Sequence, residues 1–397
     1  MATQTGVWDL QEVRDKQLAS EWNYQALDPG SVWAWGNNNQ PSANSGSLGL
    51  NDTTQYSSPK QVGTDTDWMW VYSSAAIKSD GTLWVSGAQG GEAGANNQGN
   101  LGQNNLTGYS SPVQIPGTTW KSVCTGGGMR ATKTDGTLWY WGYSSNGQNG
   151  LNIGSTSDTA KSSPTQIGTD NDWDRVFTGG GGHTGCFKTD GTLYMWGNNT
   201  RGQLGQNDTT KRSSPTQVPG TWTSTLCSSS YAVTHCARSD GTIWSWGDNE
   251  YGELGQDTSG SAGVSSPTQI ASDVTTWKSI TTGNAATLAT KTDGTLWSWG
   301  TNSNGKGMLL PTDRRSSPTQ VGSDSTWTYV NSGADWSMAN KTDGTIWMAG
   351  INEFGQIGND QSNMTNYSSP IQLPGTNWMV QNCFGGNGKS PKAKQSA

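Results

Sequence analysis

The chain has 397 residues, of which 55 are glycine and 22 are tryptophan, while only 30% are hydrophobic. So many tryptophans exclude an intrinsically disordered chain, because disorder goes with few aromatic residues. The net charge of −7 disfavours a protein that tracks nucleic-acid phosphates, which needs clustered Lys and Arg, so we predict no nucleic-acid partner.

The first predicted element is an N-terminal docking segment, residues 1–27, which lies outside the repeats described below. Asp9 followed by Glu12 is typical of a helix start. The segment has an apolar side but is too short to fold alone, so we expect it to need a partner surface or to pack back on its own chain. The residues predicted to dock are Val7, Trp8, Leu10, Val13, Leu18 and Trp22.

Three sequence markers then recur seven times along residues 28–397. A Ser-Ser-Pro tripeptide returns every 51–53 residues, a tryptophan follows each tripeptide, and a Gly-initiated turn precedes an aromatic strand. The prolines are Pro59, Pro112, Pro164, Pro215, Pro267, Pro318 and Pro370. The tryptophans are Trp68, Trp120, Trp173, Trp222, Trp277, Trp327 and Trp378. The turn glycines are Gly30, Gly81, Gly136, Gly191, Gly241, Gly294 and Gly344.

These markers predict about four short strands in each repeat. Asp-Gly favours a tight hairpin turn, because glycine accepts the positive φ that such a turn requires. The residues that follow alternate, so that Ile243 and Ser245 face one side of a strand while Trp244 and Trp246 face the other. The proline of Ser-Ser-Pro suits an outer or edge strand, where a missing N–H group costs little.

A single four-stranded sheet cannot bury both faces, whereas seven sheets packed around an axis can. We therefore predict an all-β fold, a seven-bladed β-propeller of four-stranded blades over residues 28–397, preceded by the short helical or extended segment. A coiled solenoid is the alternative, but it needs atypical capping repeats at its ends. The half repeat missing after Trp378 occurs instead at Asp28–Gly36. Strands around Trp378–Gly386 and near Val32 should therefore share one blade and close the ring.

The repeat resembles that of the regulator-of-chromosome-condensation family over residues 28–388. Its clearest copies are Gly-Asn-Asn-Thr-Arg-Gly-Gln-Leu-Gly at 197–205 and Gly-Asp-Asn-Glu-Tyr-Gly-Glu-Leu-Gly at 247–255. The resemblance implies the propeller fold, but propellers of this kind serve many functions. Two stretches depart from the pattern, a Gly/Asn-rich loop at Gly87–Gly102 and the sequence Gly305–Leu309, and we expect local irregularity at both.

The N-terminal segment resembles the short tag that begins many tail and appendage proteins of marine bacteriophages, in its Gly-Val-Trp-Asp-Leu-Gln-Glu sequence at 6–12. The resemblance implies a virion structural protein, tail-fibre-like or on the capsid surface, that docks through residues 1–27 onto other virion proteins. Its propeller would decorate the particle or bind a host-surface glycan or protein. The alternative is a cellular protein-interaction module of the regulator-of-chromosome-condensation kind, an exchange factor or an inhibitor. Either kind of protein could form a homo-oligomer.

Catalytic chemistry finds little support, and we predict a protein that is not an enzyme. Acid pairs such as Asp65 with Asp67 and Asp170 with Asp172 occur in polar loops, where exposed turn-forming and capping roles explain them. The glycine runs at 126–128 and 179–182 lack the following Lys-Ser/Thr of a phosphate loop, so close strand packing explains them better. For His183 we expect a structural hydrogen bond.

Metal and cofactor sites are also not predicted, nor is membrane insertion. The cysteines are scattered without a Cys-x-x-Cys pair, and we interpret them as small core residues rather than metal ligands or disulfide partners. No apolar stretch of 18 residues occurs, and residues 1–25 contain no apolar run of signal-peptide length. The five cysteines are Cys124, Cys186, Cys227, Cys236 and Cys383.

Overall fold

The structure, a computed structural model, describes residues 29–38, 46–87, 99–153, 160–270, 276–361, 365–379, 383–384 and 390–396. The predicted docking residues between Val7 and Trp22, and most of the Gly87–Gly102 loop, lie outside the described residues. The described part of the chain consists of β-strands joined by turns, with one 3-10 turn at Ser303–Gly305. The all-β prediction is confirmed.

Five separate sheets contain four antiparallel strands each and follow one another along the chain. We call them blades 3 to 7. Blade 3 has β7 (Trp120–Thr125), β8 (Met129–Lys133), β9 (Leu138–Gly142) and β10 (Lys161–Gln166). Blade 4 has β11 (Trp173–Gly179), β12 (His183–Lys188), β13 (Leu193–Gly197) and β14 (Arg212–Val218). Blade 5 has β15 (Trp222–Ser230), β16 (Val233–Arg238), β17 (Ile243–Asn249) and β18 (Ser261–Gln269). Blade 6 has β19 (Trp277–Thr282), β20 (Ala286–Lys291), β21 (Leu296–Gly300) and β22 (Arg315–Gln320). Blade 7 has β23 (Trp327–Ser332), β24 (Trp336–Lys341), β25 (Ile346–Gly350) and β26 (Tyr367–Gln372).

The sixth sheet has nine strands and contains two four-stranded groups. Blade 1 combines β1 (Gly30–Gly36) and β2 (Tyr56–Gln61) with β27 (Trp378–Met379) and β29 (Lys392–Ser396). Blade 2 has β3 (Trp68–Tyr72), β4 (Ala75–Lys78), β5 (Leu83–Gly87) and β6 (Tyr109–Ile115). The remaining strand, β28 (Cys383–Phe384), pairs in parallel with β3. Seven four-stranded groups result, consistent with the predicted seven-bladed propeller.

Both chain ends of the propeller contribute to blade 1, as predicted, but the strand order differs from the expected one. The strand that pairs with β1 on the side opposite β2 is β29, with Ala34 opposite Lys392. The strand that begins at Trp378 pairs with the other edge of β29. The Lys-bearing C-terminal segment therefore lies in the middle of a sheet, and the prediction that placed Trp378–Gly386 in this blade missed it.

The sequence markers occupy equivalent places in the blades. Each marker tryptophan begins the first strand of its blade, and the first strands of neighbouring blades contact each other around the axis. The Asp-Gly turn joins the second strand to the third, and Ser-Ser-Pro lies in the fourth strand at the sheet edge. The predicted edge position of these prolines is confirmed.

A short hydrogen-bonded chain fixes each Asp-Gly turn. In blade 5, Asp240 Oδ1 accepts hydrogen bonds from the Thr242 backbone N–H at 2.9 Å and from Thr242 Oγ1 at 2.6 Å. The Trp244 indole N–H donates to Thr242 Oγ1 at 2.9 Å. The bonds from the Thr242 hydroxyl and N–H lower the pKa of the Asp240 carboxyl. The Asp-Gly-Thr-x-Trp motif therefore specifies the turn and the orientation of the indole after it.

The hydrophobic core lies between neighbouring blades. One cluster packs Phe187, Leu193 and Leu204 of blade 4 against Trp222 and Trp246 of blade 5. Equivalent clusters fill the other described blade interfaces. Because the sheets pack face to face, large aromatic side chains can fill the wedge-shaped space between them and bury few polar groups.

Candidate functional site

Antiparallel pairing sorts all connections of the propeller onto two ends. The turns between first and second strands and the long loops between third and fourth strands lie at one end, which we call the loop face. The Asp-Gly turns and the connections between blades lie at the other end, the turn face. A binding site formed by several blades must lie on one of these two faces or along the axis.

The turn face is occupied by contacts that hold the repeat together. Lys78 Nζ lies 4.9 Å from the ring centroid of Trp68 and 5.4 Å from that of Trp84, and it pairs with Asp65 at 2.6 Å and Asp67 at 3.2 Å. Cations stacked between two rings recur at Lys133, Lys188, Arg238, Lys291 and Lys341.

The acid pairs of this face have the exposed structural role that the sequence predicted, although through ion pairs rather than capping. Asp170 and Asp172 lie 2.8 and 3.0 Å from Lys188 Nζ. Burial against the aromatic rings opposes the charge of Lys188, but the hydrogen bonds to both aspartates raise its pKa. These carboxylates already have a cation as partner.

Two buried histidines lie between blades on the inner side of the ring. His183 Nε2 is 3.2 Å from Thr234 Oγ1, and His235 Nε2 is 3.3 Å from Thr287 Oγ1. Burial lowers the pKa of His183 to about 4 and that of His235 to about 3. Both rings are therefore neutral at pH 7 and bond to the next blade, and the structural hydrogen bond predicted for His183 is confirmed.

The glycine runs 126–128 and 179–182 form turns between first and second strands, which agrees with the predicted close packing. A Cβ atom at Gly181 would collide with the carbonyl oxygen of Tyr231 in the next blade. Within the described residues, no group of three His, Cys, Asp or Glu side chains is placed to hold a metal ion. No helix in the described ranges is long and apolar enough to cross a bilayer.

The prediction for the cysteines is wrong for two of them. Cys227 and Cys236 form a disulfide, because the register of β15 and β16 places them directly opposite each other. Cys124 and Cys186 are free and fully buried core residues, as predicted, and burial raises the pKa of the Cys124 thiol to about 12. The side chain of Cys383 lies outside the described part.

A ring of buried polar side chains underlies the loop face at the second position of each Gly-x-Leu-Gly turn. Gln203 Oε1 accepts the backbone N–H of Arg201 at 2.9 Å, and Glu253 Oε2 accepts that of Tyr251 at 2.7 Å. Burial of Glu253 raises the pKa of its carboxyl to about 7. These side chains cap their own turns, so they are part of the scaffold.

The sixth repeat departs from this ring, as the sequence predicted. Lys306 takes the polar position, and its Nζ donates to the backbone carbonyl of Asn284 at 2.7 Å. It also lies 3.4 Å from the carbonyl of Ala334 in blade 7 and 3.8 Å from Asp335. Burial lowers the pKa of Lys306. Its side chain therefore bridges two blades instead of capping one turn.

In the loops between third and fourth strands, up to the residue before Ser-Ser-Pro, Lys and Arg occur only in blades 3, 4 and 6. The loop segments 37–56, 88–109 and 351–367 of blades 1, 2 and 7 contain no Lys or Arg. We call the cations on the surface of the opposite half the basic arc. It comprises Lys161, Arg201, Lys211, Arg212, Arg314 and Arg315.

The residue just before Ser-Ser-Pro shows the same division. It is Tyr56, Tyr109 or Tyr367 in blades 1, 2 and 7. These tyrosine hydroxyls bond within their own loops, as Tyr56 does to Asp52 at 2.7 Å. The equivalent residues of blades 3, 4 and 6 are Lys161, Arg212 and Arg315.

Several arc cations lie across blade boundaries without a close carboxylate. The Arg314 guanidinium stacks 4.3 Å from the ring centroid of Tyr251 in blade 5. Lys211 Nζ bonds to the amide oxygen of Asn146 in blade 3 at 2.7 Å. Arg201 approaches Asp248 of blade 5 only to 3.8 Å. Among the described residues Lys211 and Arg314 form no ion pair, so their charge faces solvent.

Blade 5 extends farther on the loop face than its neighbours. Its strands β15, β17 and β18 have nine, seven and nine residues, whereas the third strand of blades 2, 3, 4, 6 and 7 has five. The extra length adds a pairing of Asn249 with Ser261. At the tip of the β15–β16 hairpin Tyr231 is 59% exposed. This blade is the most prominent departure from the repeat in the described part of the chain.

Comparison with known proteins agrees with this architecture. Residues 190–237 and 240–290 match the regulator of chromosome condensation (RCC1) repeat, and residues 277–306 match a second model of that repeat. The segment 190–306 is therefore similar to RCC1 repeats. The other repeats of the chain lie outside the matched segments. They include the two repeats that have Ser86 or Ala349 in place of the second tryptophan.

Solved structures with the same fold cover nearly the whole chain. Prp20p from Saccharomyces cerevisiae is 17% identical, with a TM-score of 0.75 over 93% of this chain and 92% of that chain. Yeast RCC1 (Prp20) bound to Kap60 is 17% identical, with a TM-score of 0.76 over 100% and 95%. Human WBSCR16 is also 17% identical, with a TM-score of 0.76 over 92% and 99%. At this identity the likeness shows the fold, an RCC1-type propeller.

The loop-face cations were not identified from the sequence. The only signal was the pair of basic residues before Ser-Ser-Pro, Lys211-Arg212 and Arg314-Arg315, in repeats that are otherwise poor in charge. No basic stripe is visible along the sequence, because the arc joins residues from three different blades, 3, 4 and 6.

Proposed function

We propose that this protein is a protein-interaction module that binds its partner through the loop face. The observation that carries the proposal is the basic arc, a set of cations from blades 3, 4 and 6 on one face of a chain whose net charge is −7. Clustered charge of one sign steers the approach of a partner of the opposite sign and fixes its orientation. The partner surface should therefore be acidic.

Two further observations support a protein as the ligand. Arginine and tyrosine carry much of the binding energy of protein interfaces. The basic arc supplies arginines and blade 5 supplies tyrosines. Among the proteins of this fold, Prp20p is described with its binding to Gsp1p and histones, and yeast RCC1 is bound to Kap60. We extend only the general role, the binding of a protein, to this chain.

The proposal includes the absence of catalysis. Several buried ionisable side chains of the described residues have a structural contact, as His183 has with Thr234 and Lys306 with Asn284. A hydrolytic site would need a free acid and base held within reach of one substrate. An exchange factor would act instead by binding a small GTPase, and release of labelled nucleotide from the purified GTPase tests that role.

Site-specific photo-crosslinking in the source cells tests the proposal. p-Benzoylphenylalanine replaces Lys211 or Arg314 on the loop face, and Thr189 or Thr292 on the turn face as matched exposed controls. We expect one protein in adducts from both loop-face positions and from neither control. The double variant Lys211→Glu/Arg314→Glu should abolish binding of that purified protein. Adducts from the controls alone, or none at all, would refute the proposal.

A second candidate function rests on the sequence of residues 6–22, which resembles a bacteriophage appendage tag. In this case the protein is located in the virion, Val7, Trp8 and Leu10 dock it onto other virion proteins, and the propeller meets a host-surface glycan or protein. Peptide mass spectrometry of density-purified particles tests it, comparing the full chain with one that lacks residues 1–27. Full-length protein in the particle without the truncated form supports this function, and absence of both refutes it.

A further inference from the structure

The tip of the β15–β16 hairpin differs from the equivalent tips of the other described blades. Tyr231 is 59% exposed there, the second most exposed large hydrophobic side chain of the described residues after Leu310. The equivalent turns are built from glycine, serine, asparagine, alanine or aspartate. They are the turns at 73–74, 126–128, 180–182, 283–285 and 333–335. An aromatic ring on a loop tip buries large area when a partner covers it.

The backbone holds this tyrosine in a fixed and unfavourable conformation. Its φ is +39°, a region that bulky residues rarely adopt. The backbone N–H of Asp248 bonds to the carbonyl of Ala232 at 3.0 Å, which ties the tip to β17. The Tyr231 carbonyl lies so close to Gly181 that only glycine fits there. The tip is therefore supported from two sides.

The disulfide adds a covalent support to the same hairpin. Cys227 and Cys236 are paired across β15 and β16, three residue pairs below the turn. Between Thr223 and Cys227 the register shifts, so the strand bulges just below the disulfide. A cross-link at this point limits how far the hairpin end can move. A side chain held in one position loses little conformational entropy when it binds.

Two arginines of the basic arc lie at the two boundaries of blade 5, the blade that carries the tip. Asp248, which bonds to the residue next to Tyr231, lies 3.8 Å from Arg201 of blade 4. Arg314 is on the other boundary of blade 5, stacked on Tyr251. A central aromatic side chain surrounded by charged groups is the arrangement found at energetic centres of protein interfaces.

From these contacts we infer that Tyr231 is the anchor of the partner-binding site. Its ring enters an apolar pocket of a protein partner, and carboxylates on the rim of that pocket meet Arg201. The inference rests on the proposed function, because it assumes that the loop face binds a protein. It adds the location of the energetic centre and the chemistry of the partner surface.

Affinity measurements test the anchor, with the protein recovered from the loop-face adducts, purified, as the probe. Tyr231→Gly removes the ring but permits the positive φ, so the turn is preserved. Leu106→Ala is the matched control, since Leu106 is 52% exposed on the loop of blade 2. We expect Tyr231→Gly to weaken binding at least tenfold, Arg201→Glu to weaken it further, and Leu106→Ala to change it less than twofold.

The outcomes separate the two proposals. Binding by Tyr231→Gly within twofold of the wild type would overturn the anchor, while the loop face would remain the binding face. Equal losses for Tyr231→Gly and Leu106→Ala would also overturn it, because the effect would then not be specific to blade 5. If no loop-face adduct forms, the proposed function fails, and the anchor fails with it. Unchanged thermal unfolding of Tyr231→Gly excludes loss of folding as the cause.

Discussion

The indole N–H of Trp246 in blade 5 donates a hydrogen bond of 2.9 Å to the backbone carbonyl of Gln203 in blade 4. The same carbonyl accepts the hydroxyl of Thr234 at 3.0 Å. Indole bonds of this kind recur between blades in Trp141→Asn100, Trp196→Gln148, Trp299→Glu253 and Trp35→Gln356. In blade 2 the hydroxyl of Ser86, which takes the place of this tryptophan, donates to the carbonyl of Ser47. In blade 7, where Ala349 takes its place, the hydroxyl of Ser337, at the position of Thr234, donates to the carbonyl of Lys306. The second tryptophan of the repeat therefore links its blade to the preceding one.

Replacement of this indole should destabilise the protein. Trp246→Phe keeps an aromatic ring but removes the N–H and part of the buried volume, so we expect a loss of about 2–3 kcal/mol in the free energy of unfolding. Trp244→Phe is the matched control, because the Trp244 indole is half-buried and bonds within its own blade, to Thr242 of the preceding turn. Urea denaturation followed by tryptophan fluorescence compares the two. Equal losses would show that the bond between blades has no special weight.

Replacement of Glu253 by glutamine should stabilise the protein at high pH. The folded-state pKa of Glu253 is raised from 4.5 to about 7, so its carboxyl stabilises the fold when protonated and that contribution is lost as the pH rises through 7. Glutamine is the neutral residue at this position in Gln203 and Gln356. We expect Glu253→Gln to gain about 1–3 kcal/mol at pH 8 and little at pH 5. Glu250→Gln, at an exposed position of the same loop, should show no such gain.

The buried histidines should make the protein less stable in mild acid. Their pKa values fall from 6.5 to about 4 for His183 and about 3 for His235, so between pH 6.5 and 4.5 the unfolded chain binds protons that the native state does not. Stability is therefore complete above pH 6.5 and declines as the pH falls, by up to about 1.4 kcal/mol per pH unit for each histidine.

Glu253 titrates with the opposite sign in this range, so the Glu253→Gln protein is the suitable background for the measurement. In urea titrations at pH 6.5, 5.5 and 4.5, the further change His183→Gln/His235→Gln should flatten the decline. A decline that persists in the triple variant would assign the acid sensitivity to other groups.

Loss of the disulfide should weaken blade 5. Its cysteines are nine residues apart, and closing such a loop stabilises a protein by about 2–3 kcal/mol through the entropy of the unfolded chain. Cys227→Ser/Cys236→Ser should lower the free energy of unfolding by that amount, and dithiothreitol should destabilise the wild type but not the variant. Alkylation followed by mass spectrometry should find two more labelled cysteines in the reduced protein than in the unreduced protein. Their labelling without reductant would contradict the disulfide.

The sequence predicted the fold because its signals are local and repeated. Asp240, Gly241 and Thr242 specify a turn by bonds within three residues, and seven similar repeats multiply that signal. The half repeat that is missing after Trp378 indicated that the two ends of the propeller meet in one blade. The insertion of Lys392–Ser396 beside β1 was missed, because nothing in that Lys-bearing sequence resembles the other second strands.

The features of the candidate site depend on register and on contacts between blades, which no single stretch of sequence shows. Cys227 and Cys236 become partners only through strand register, and Arg314 reaches Tyr251 only through blade packing. The exposure of Tyr231 was equally hidden, because its neighbours in sequence resemble ordinary core-strand residues. The docking role predicted for Trp8 and Trp22 stays a prediction, since residues 1–27 lie outside the described part.

The position of β29 between β27 and β1 has a consequence for how the protein opens. Open repeat arrays lose structure by fraying from their terminal units. In this ring the terminal strands lie inside one sheet, so thermal opening has no exposed end from which to begin. Amide hydrogens of the innermost strands β7, β11, β15, β19 and β23 should consequently exchange at similar, slow rates, through a single cooperative event that separates blade 1 and releases the whole ring.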